Sequence, residues 1–177
     1  MYTSTMLYMI GGPPRMGKSS LAQLILNRHN IPYVSTDGLT VMLKPIGQPS
    51  FYSPKKSERF FPYLELFIDR MLKSVPDYLI EGDAFSPQHV KKLEEKNKLK
   101  SVFLTMSKVN PESIIKHTKF DRWTDDVHAE ELSYLCERIT AASKDIQAQC
   151  NHVGARNIDL SQDYDQQIKA AYEYLMN

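Results

Sequence analysis

Two cysteines in 177 residues are too few for a disulfide framework, and both, Cys136 and Cys150, fall in one predicted helix. A rise of about 1.5 Å per residue sets them roughly 20 Å apart there, beyond the reach of an S–S bridge. No apolar run approaches the roughly 20 residues needed to span a bilayer, and the amino terminus has no basic segment followed by a signal-like apolar stretch. A reducing, cytoplasmic setting with no membrane partner is the expectation. An excess of charge of one sign is also missing: 22 Lys and Arg against 21 Asp and Glu leave a formal net charge of +1. Bulk composition therefore offers no polyanion-binding surface and disfavours nucleic acid as a partner. His29, His89, His117, His128 and His152 show no metal-site spacing with the cysteines, and read mostly as surface residues. No serine occupies a G-x-S-x-G turn, so a hydrolase triad has no support.

What the chain does have is Gly12-Pro13-Pro14-Arg15-Met16-Gly17-Lys18-Ser19, which fits the phosphate-loop pattern G-x-x-x-x-G-K-[ST]. Its context strengthens the match. Met6 to Ile10 is a short apolar run of the length of a buried strand, and Gly11-Gly12 ends it. After the loop, Leu21, Leu24 and Ile25 share one helical face while Gln23 and Asn27 point away from it. Backbone N–H groups of the loop, Gly12 to Ser20, other than Pro13 and Pro14, which have none, and the positive end of the helix can face the phosphates of a nucleotide triphosphate. Lys18 can reach the β and γ groups, and Ser19 can ligate Mg²⁺.

Length and a 42% hydrophobic content describe one globular domain, 1–177, with a single substantial core. Strand and helix alternate along it, which favours an α/β fold with a parallel sheet covered on both faces. Strands are expected at 6–10, 32–36, 78–81, 101–106 and 157–160. Helices are expected at 18–28, 61–73 with Pro62 in its first turn, 87–97 with Ser86 as its capping hydroxyl and Pro87 at its first position, 111–117, 130–151 and 164–176. Two segments break the alternation. The stretch 38–76 is too long for a plain crossover and reads as a substrate-covering insertion, whose Phe51, Tyr52, Phe60, Phe61 and Tyr63 pack its helices or stack on a ring. The polar stretch 116–128, centred on Trp123, reads as a lid.

Asp37 closes the second strand, in Val34-Ser35-Thr36-Asp37-Gly38, and the carboxyl ends of parallel strands face the ligand crevice. A carboxylate there can take a proton from an acceptor hydroxyl and aim its oxygen at the γ-phosphate. The alternative is that Asp37 caps a helix after Gly38. The third strand ends in Glu81-Gly82-Asp83, where Glu81 can hold Mg²⁺ or, structurally, form an ion pair with Lys18. Phosphoryl transfer also needs a cation over the transferred group, and the lid offers Lys116, Lys119 and Arg122. Arg122 is the first choice because its planar fork bridges two phosphate oxygens. The alternative is a set of weak surface pairs with Asp121, Asp125 and Asp126.

These stretches, with Ile158-Asp159-Leu160-Ser161, resemble the adenylate-kinase-like P-loop small-molecule kinases, especially those related to zeta toxins, chloramphenicol phosphotransferase and 2-phosphoglycerate kinase. The resemblance implies a three-layer P-loop NTPase fold with a five-stranded parallel sheet in the order 2-3-1-4-5, helices on both faces and a lid. It also implies that Asp37 meets the acceptor and that the loop after Leu160 borders the adenine. Arg15-Met16 departs from the small residues usual in such loops. No arginine follows Asp37 through Lys44, which counts against an acidic acceptor such as 2-phosphoglycerate.

The expected activity is transfer of the ATP γ-phosphoryl group to a small-molecule acceptor, a nucleoside or nucleotide being the leading subclass. Its rivals are a P-loop ATPase, a nucleotide-binding module without turnover, and a polynucleotide 5′-hydroxyl kinase, which would need a basic strand-tracking groove. A guanine-reading Asn-Lys-x-Asp is missing, since Asn97-Lys98-Leu99-Lys100 lacks the acid.

Overall fold

A computed structural model describes residues 5–43, 54–109, 111, 112 and 129–177. Five strands, β1 (Met6–Gly11), β2 (Tyr33–Ser35), β3 (Asp77–Gly82), β4 (Leu99–Thr105) and β5 (Asn157–Asp159), form one sheet in the order β2-β3-β1-β4-β5. Every pairing in it is parallel. Around it lie α1 (Lys18–His29), α2 (Thr36–Leu43), α3 (Pro54–Met71), α4 (Pro87–Glu94), α5 (Ala129–Val153) and α6 (Tyr164–Met176).

Side chains of a strand alternate between faces, and this alternation divides the core in two. Ile10, Leu79, Val102 and Leu104 pack on one face with Leu21 and Ile25 of α1 and Ala171 and Leu175 of α6. Leu7, Met9, Tyr78, Ile80 and Phe103 pack on the other with Leu64 and Ile68 of α3 and Val90 and Leu93 of α4. The long helix α5 serves both layers, giving Ile139 to the first and Ile146 to the second. Its Cys136 and Cys150 are both buried free thiols, as their spacing requires, and burial pushes the Cys150 thiol up to about 12. Among the described residues no helix is long and apolar enough to cross a membrane.

Several boundaries differ from those expected, each for a local reason. The second strand stops at Ser35 because Thr36 already begins α2, which occupies the first part of the expected insertion. Its start is trimmed by Pro32, which has no N–H to give, although the Pro32 carbonyl still accepts from the Leu79 amide at 2.9 Å. The helix expected to start at Phe61 starts at Pro54, so Pro62 lies inside it. Pro62 and Glu58 are both exposed, so water can serve the carbonyl that the missing N–H leaves unserved. Phe60 and Phe61 are buried and pack, whereas Tyr63 is exposed. The helix 87–97 ends at Glu94, and the expected helix 111–117 is described only at residues 111 and 112, which are helical. Phe51, Tyr52, His117, His128 and the lid 116–128 lie outside the described residues.

His89 corrects the expectation of a surface histidine: it is fully buried. The start of α4 explains why. Ser86 caps the helix by accepting from the His89 amide at 3.3 Å, and the Ser86 amide donates to His89 Nδ1 at 3.2 Å. With Nδ1 accepting, Nε2 carries the proton and donates to Glu58 Oε1 at 3.1 Å, while the ring stacks on Phe61. Burial holds the imidazole below its ordinary 6.5, despite the pull of Glu58 and Glu65 in the other direction, and Lys92 adds to the lowering. As pH falls, the unfolded chain therefore takes this proton first, so stability is complete above about 6.5 and declines as pH drops towards the folded value. Urea unfolding at pH 7.5 and 5.5 should show wild type losing more stability than His89→Gln, by up to about 1.4 kcal/mol per pH unit. An equal loss in both proteins would mean that His89 takes up its proton without opening the cap.

Candidate active site

The site forms where β1, β2 and β3 end. α1 begins at Lys18 directly behind Gly17, with no side-chain cap and no acid in its first turn. Its first amides are thus left without the side-chain partners that most helix starts recruit, in a loop whose sequence is that of a phosphate cradle. Gly17 has φ 72, and a Cβ there would strike the Tyr164 hydroxyl. Arg15 holds φ 69, a conformation that glycine adopts at no steric cost. The loop therefore keeps its path with an arginine in it, at a strain on the order of 1 kcal/mol. Met16 is buried in the core beneath the loop, so its side chain anchors the loop and only its backbone faces outward chemistry. Pro13 is buried, and Pro14, Ser19 and Ser20 are exposed.

Lys18 is 8% exposed and folds back over the loop, its Nζ donating to the Pro13 carbonyl at 2.7 Å. Ser19 Oγ donates to Glu81 Oε1 at 3.1 Å. Glu81 closes β3 opposite Ser35 of β2 and is 2% exposed. Burial pushes its carboxyl up from the ordinary value, Lys18 and the hydroxyls of Ser35 and Ser19 pull it back, and the Asp37 charge adds to the rise. The structure thus brings Lys18, Ser19 and Asp37 each within electrostatic reach of Glu81. Gly82, with φ 149, follows at a point where any Cβ would collide with Thr36, and Asp83 beyond it is half-buried.

Asp37 lies one residue into α2 and is exposed. The cap of that helix is Ser35, whose Oγ accepts from the Asp37 amide at 3.3 Å. The capping alternative for the Asp37 side chain therefore falls away. Arg122, Lys116 and Lys119 lie outside the described residues.

The donors present suit Mg²⁺. A hydroxyl, Ser19, touches a buried carboxylate, Glu81, beside the phosphate loop. Mg²⁺ is bound by oxygen from one or two such groups together with substrate phosphates, not by a full protein cage. No cluster of three or more His, Cys, Asp or Glu suited to a metal is found among the described residues.

Two contributors escaped sequence reasoning. Ser35 entered only as part of a resemblance, although a serine just before a helix start is itself a capping signal. The second is a network at the end of β5, a stretch that likewise entered only through the resemblance, where Asp159 accepts from the amides of Ser161 at 2.9 Å and Ser107 at 3.2 Å and from Gln147 at 3.2 Å. Burial works against the charged form of Asp159, but the Ser107 and Ser161 donors hold its carboxyl below the ordinary value. This network pins the Ile158–Ser161 turn to the end of β4; Ser107 and Gln147 gave no signal in sequence.

Solved structures share the fold. A gluconokinase from Sinorhizobium meliloti 1021 matches with a TM-score of 0.58 at 19% identity, over 98% of this chain and 92% of its own. A shikimate kinase from Bacteroides thetaiotaomicron gives 0.57 at 12% identity, over 96% and 94%. An uncharacterized protein from Eubacterium ventriosum gives 0.57 at 12%, over 97% and 98%. The chain has the fold of the P-loop kinases. The sheet order implied by the resemblance is the order observed. No protein-family model matches the sequence, and no curated protein does. The likeness to P-loop kinases holds for the fold, and the zeta-toxin, chloramphenicol-phosphotransferase and 2-phosphoglycerate-kinase branches rest on sequence motifs alone.

Proposed function

We propose that this chain is an ATP-dependent, Mg²⁺-assisted kinase that transfers the γ-phosphoryl group to a hydroxyl or phosphate of a small molecule. The observation that carries the reading is the meeting of Lys18, Ser19, Glu81 and Asp37 around one loop at the carboxyl edge of the sheet. The N–H groups of the loop between Gly12 and Ser20, Pro13 and Pro14 having none to give, and the Lys18 ammonium hold the β- and γ-phosphates, the lysine exchanging the Pro13 carbonyl for phosphate oxygen. Ser19 and Glu81 hold Mg²⁺, which offsets phosphate charge when bound. Asp37 accepts the acceptor's proton as its oxygen bonds to the γ-phosphorus and the bond from that phosphorus to the β,γ-bridging oxygen breaks, releasing ADP. The working place of such an enzyme is the cytoplasm, where ATP is plentiful.

A nucleoside or nucleotide is the leading acceptor subclass. Its support is the sequence of two segments, 38–76 read as an insertion and 116–128 read as a lid, although burial of Phe60 and Phe61 leaves Tyr63 as the exposed ring of α3. A radiolabelled-ATP screen over nucleosides, nucleotides, sugars, antibiotics and small acids, with a water-only control, tests the reading. One labelled product is expected. Release of phosphate equal to that of the water control, whatever the acceptor, would make the protein an ATPase; no ATP binding would end the reading.

Arg122 is the proposed cation over the transferred group. Arg122→Ala should lower turnover more than ATP affinity, because its charge is needed most where negative charge develops. Equal losses in steady-state turnover and in the equilibrium ATP titration would make it a ground-state binding residue.

A further inference from the structure

Ser35 holds two partners with one oxygen. That oxygen accepts from the Asp37 amide at 3.3 Å at the start of α2, and across the parallel β2–β3 pairing Ser35 stands directly beside Glu81, where its hydroxyl helps to keep that carboxyl charged. A helix cap needs only an acceptor, which Asn, Asp, Ser and Thr all supply. Among these, only serine and threonine put donor and acceptor on the same atom. The neighbouring residue tightens the seam: Thr36 is fully buried, its side chain fills the space where a Gly82 side chain would stand, and its hydroxyl makes no hydrogen bond to a described residue. The ends of β2 and β3 are thus packed together at Thr36 and set side by side at Ser35 and Glu81.

We propose that Ser35 is a positioning residue that ties the carboxylate on the metal side, Glu81, to the helical turn carrying Asp37, so that one hydroxyl sets the placement of both acids. This inference rests on the kinase reading above. Its physical content is that Glu81, reached by Ser19 from the loop side and by Ser35 from the α2 side, is held in the orientation that Mg²⁺·ATP requires.

The test uses the full chain with Ser35→Ala, Ser35→Gly and Ser35→Thr. ATP affinity is measured by equilibrium titration over a range of Mg²⁺ and again in EDTA, and backbone exchange at the Asp37 amide is followed by hydrogen–deuterium exchange. Ala and Gly should weaken the Mg²⁺ dependence of ATP binding by about 10-fold or more, the effect usual for partners that orient a metal ligand, and leave binding in EDTA unchanged. Both should speed exchange at Asp37, and Thr should restore both readings. Glycine is itself a fair cap, so Ser35→Gly keeps its melting temperature close to that of wild type and separates positioning from folding. Wild-type Mg²⁺ dependence in Ser35→Gly, even with faster exchange at Asp37, would reduce Ser35 to a cap and overturn the proposal. Failure of the wild-type protein to bind ATP in either condition would instead overturn the kinase reading beneath it.

Discussion

Lys18→Ala is expected to lose ATP affinity by about 10- to 100-fold, as removal of a charged hydrogen-bond donor from a phosphate does. The structure gives a reason to expect little accompanying loss of stability. Lys18 opens α1, where the helix dipole presents its positive end, so its ammonium is misplaced as a folding device. Its bond to the Pro13 carbonyl offsets that misplacement in the absence of ligand. Alanine loses the bond and the attraction for the buried Glu81 carboxylate but relieves the repulsion, contributions of opposite sign, so the melting temperature should stay within about 4 °C of wild type. Calorimetric ATP titration alongside thermal unfolding separates the two effects. Unchanged ATP affinity would remove the loop from the phosphate-binding role; a collapse in stability would make Lys18 a structural residue holding the loop closed.

How far the fold could be read in advance depended on how local its causes are. The phosphate loop was legible because its chemistry demands contiguous residues, Gly12 to Ser19, between a strand and a helix. The Ser86-Pro87 start of α4 was legible for the same reason, since cap and first-position proline are adjacent. Other features depend on distant neighbours. Pro62 normally ends a helix, and only its place on an exposed face lets α3 run through it. His89 is buried because Glu58 and Phe61, on another helix, take its edge and its face. The strand order came from resemblance, since periodicity says which face a residue takes but not which strand lies beside it.

The site divides in the same way. Lys18, Ser19, Asp37 and Glu81 could each be picked out as a polar residue at a strand or loop end, where a parallel sheet places its ligands. Their grouping was not visible, because β2 and β3 meet through the fold and not through nearby sequence. Ser35 shows the limit best: its capping bond is two residues away, but its second partner, Glu81, lies on the next strand of the sheet.

Asp37→Asn should leave ATP affinity nearly intact and cut phosphoryl transfer by about 10²- to 10⁴-fold, the usual worth of a general base. Asparagine keeps the size and the backbone amide that Ser35 accepts, so the start of α2 survives the exchange. What it removes is the negative charge and the ability to take a proton. The lost charge has a structural cost too, since an acid in the first turn of a helix stabilises it by about 0.3–1 kcal/mol. A purely structural Asp37 would therefore show a small fall in melting temperature and full turnover per folded molecule, whereas a catalytic one shows that small fall with turnover nearly abolished. The same change should ease ionisation of Glu81, whose carboxyl the Asp37 charge helps to raise, so nucleotide binding in the presence of Mg²⁺ should hold or improve. Turnover and affinity moving in opposite directions is a pattern that partial unfolding does not produce, and single-turnover transfer beside equilibrium ATP titration reads it directly. Retained transfer in Asp37→Asn would leave the chain with a nucleotide cradle and would assign proton removal to another group or to the acceptor itself.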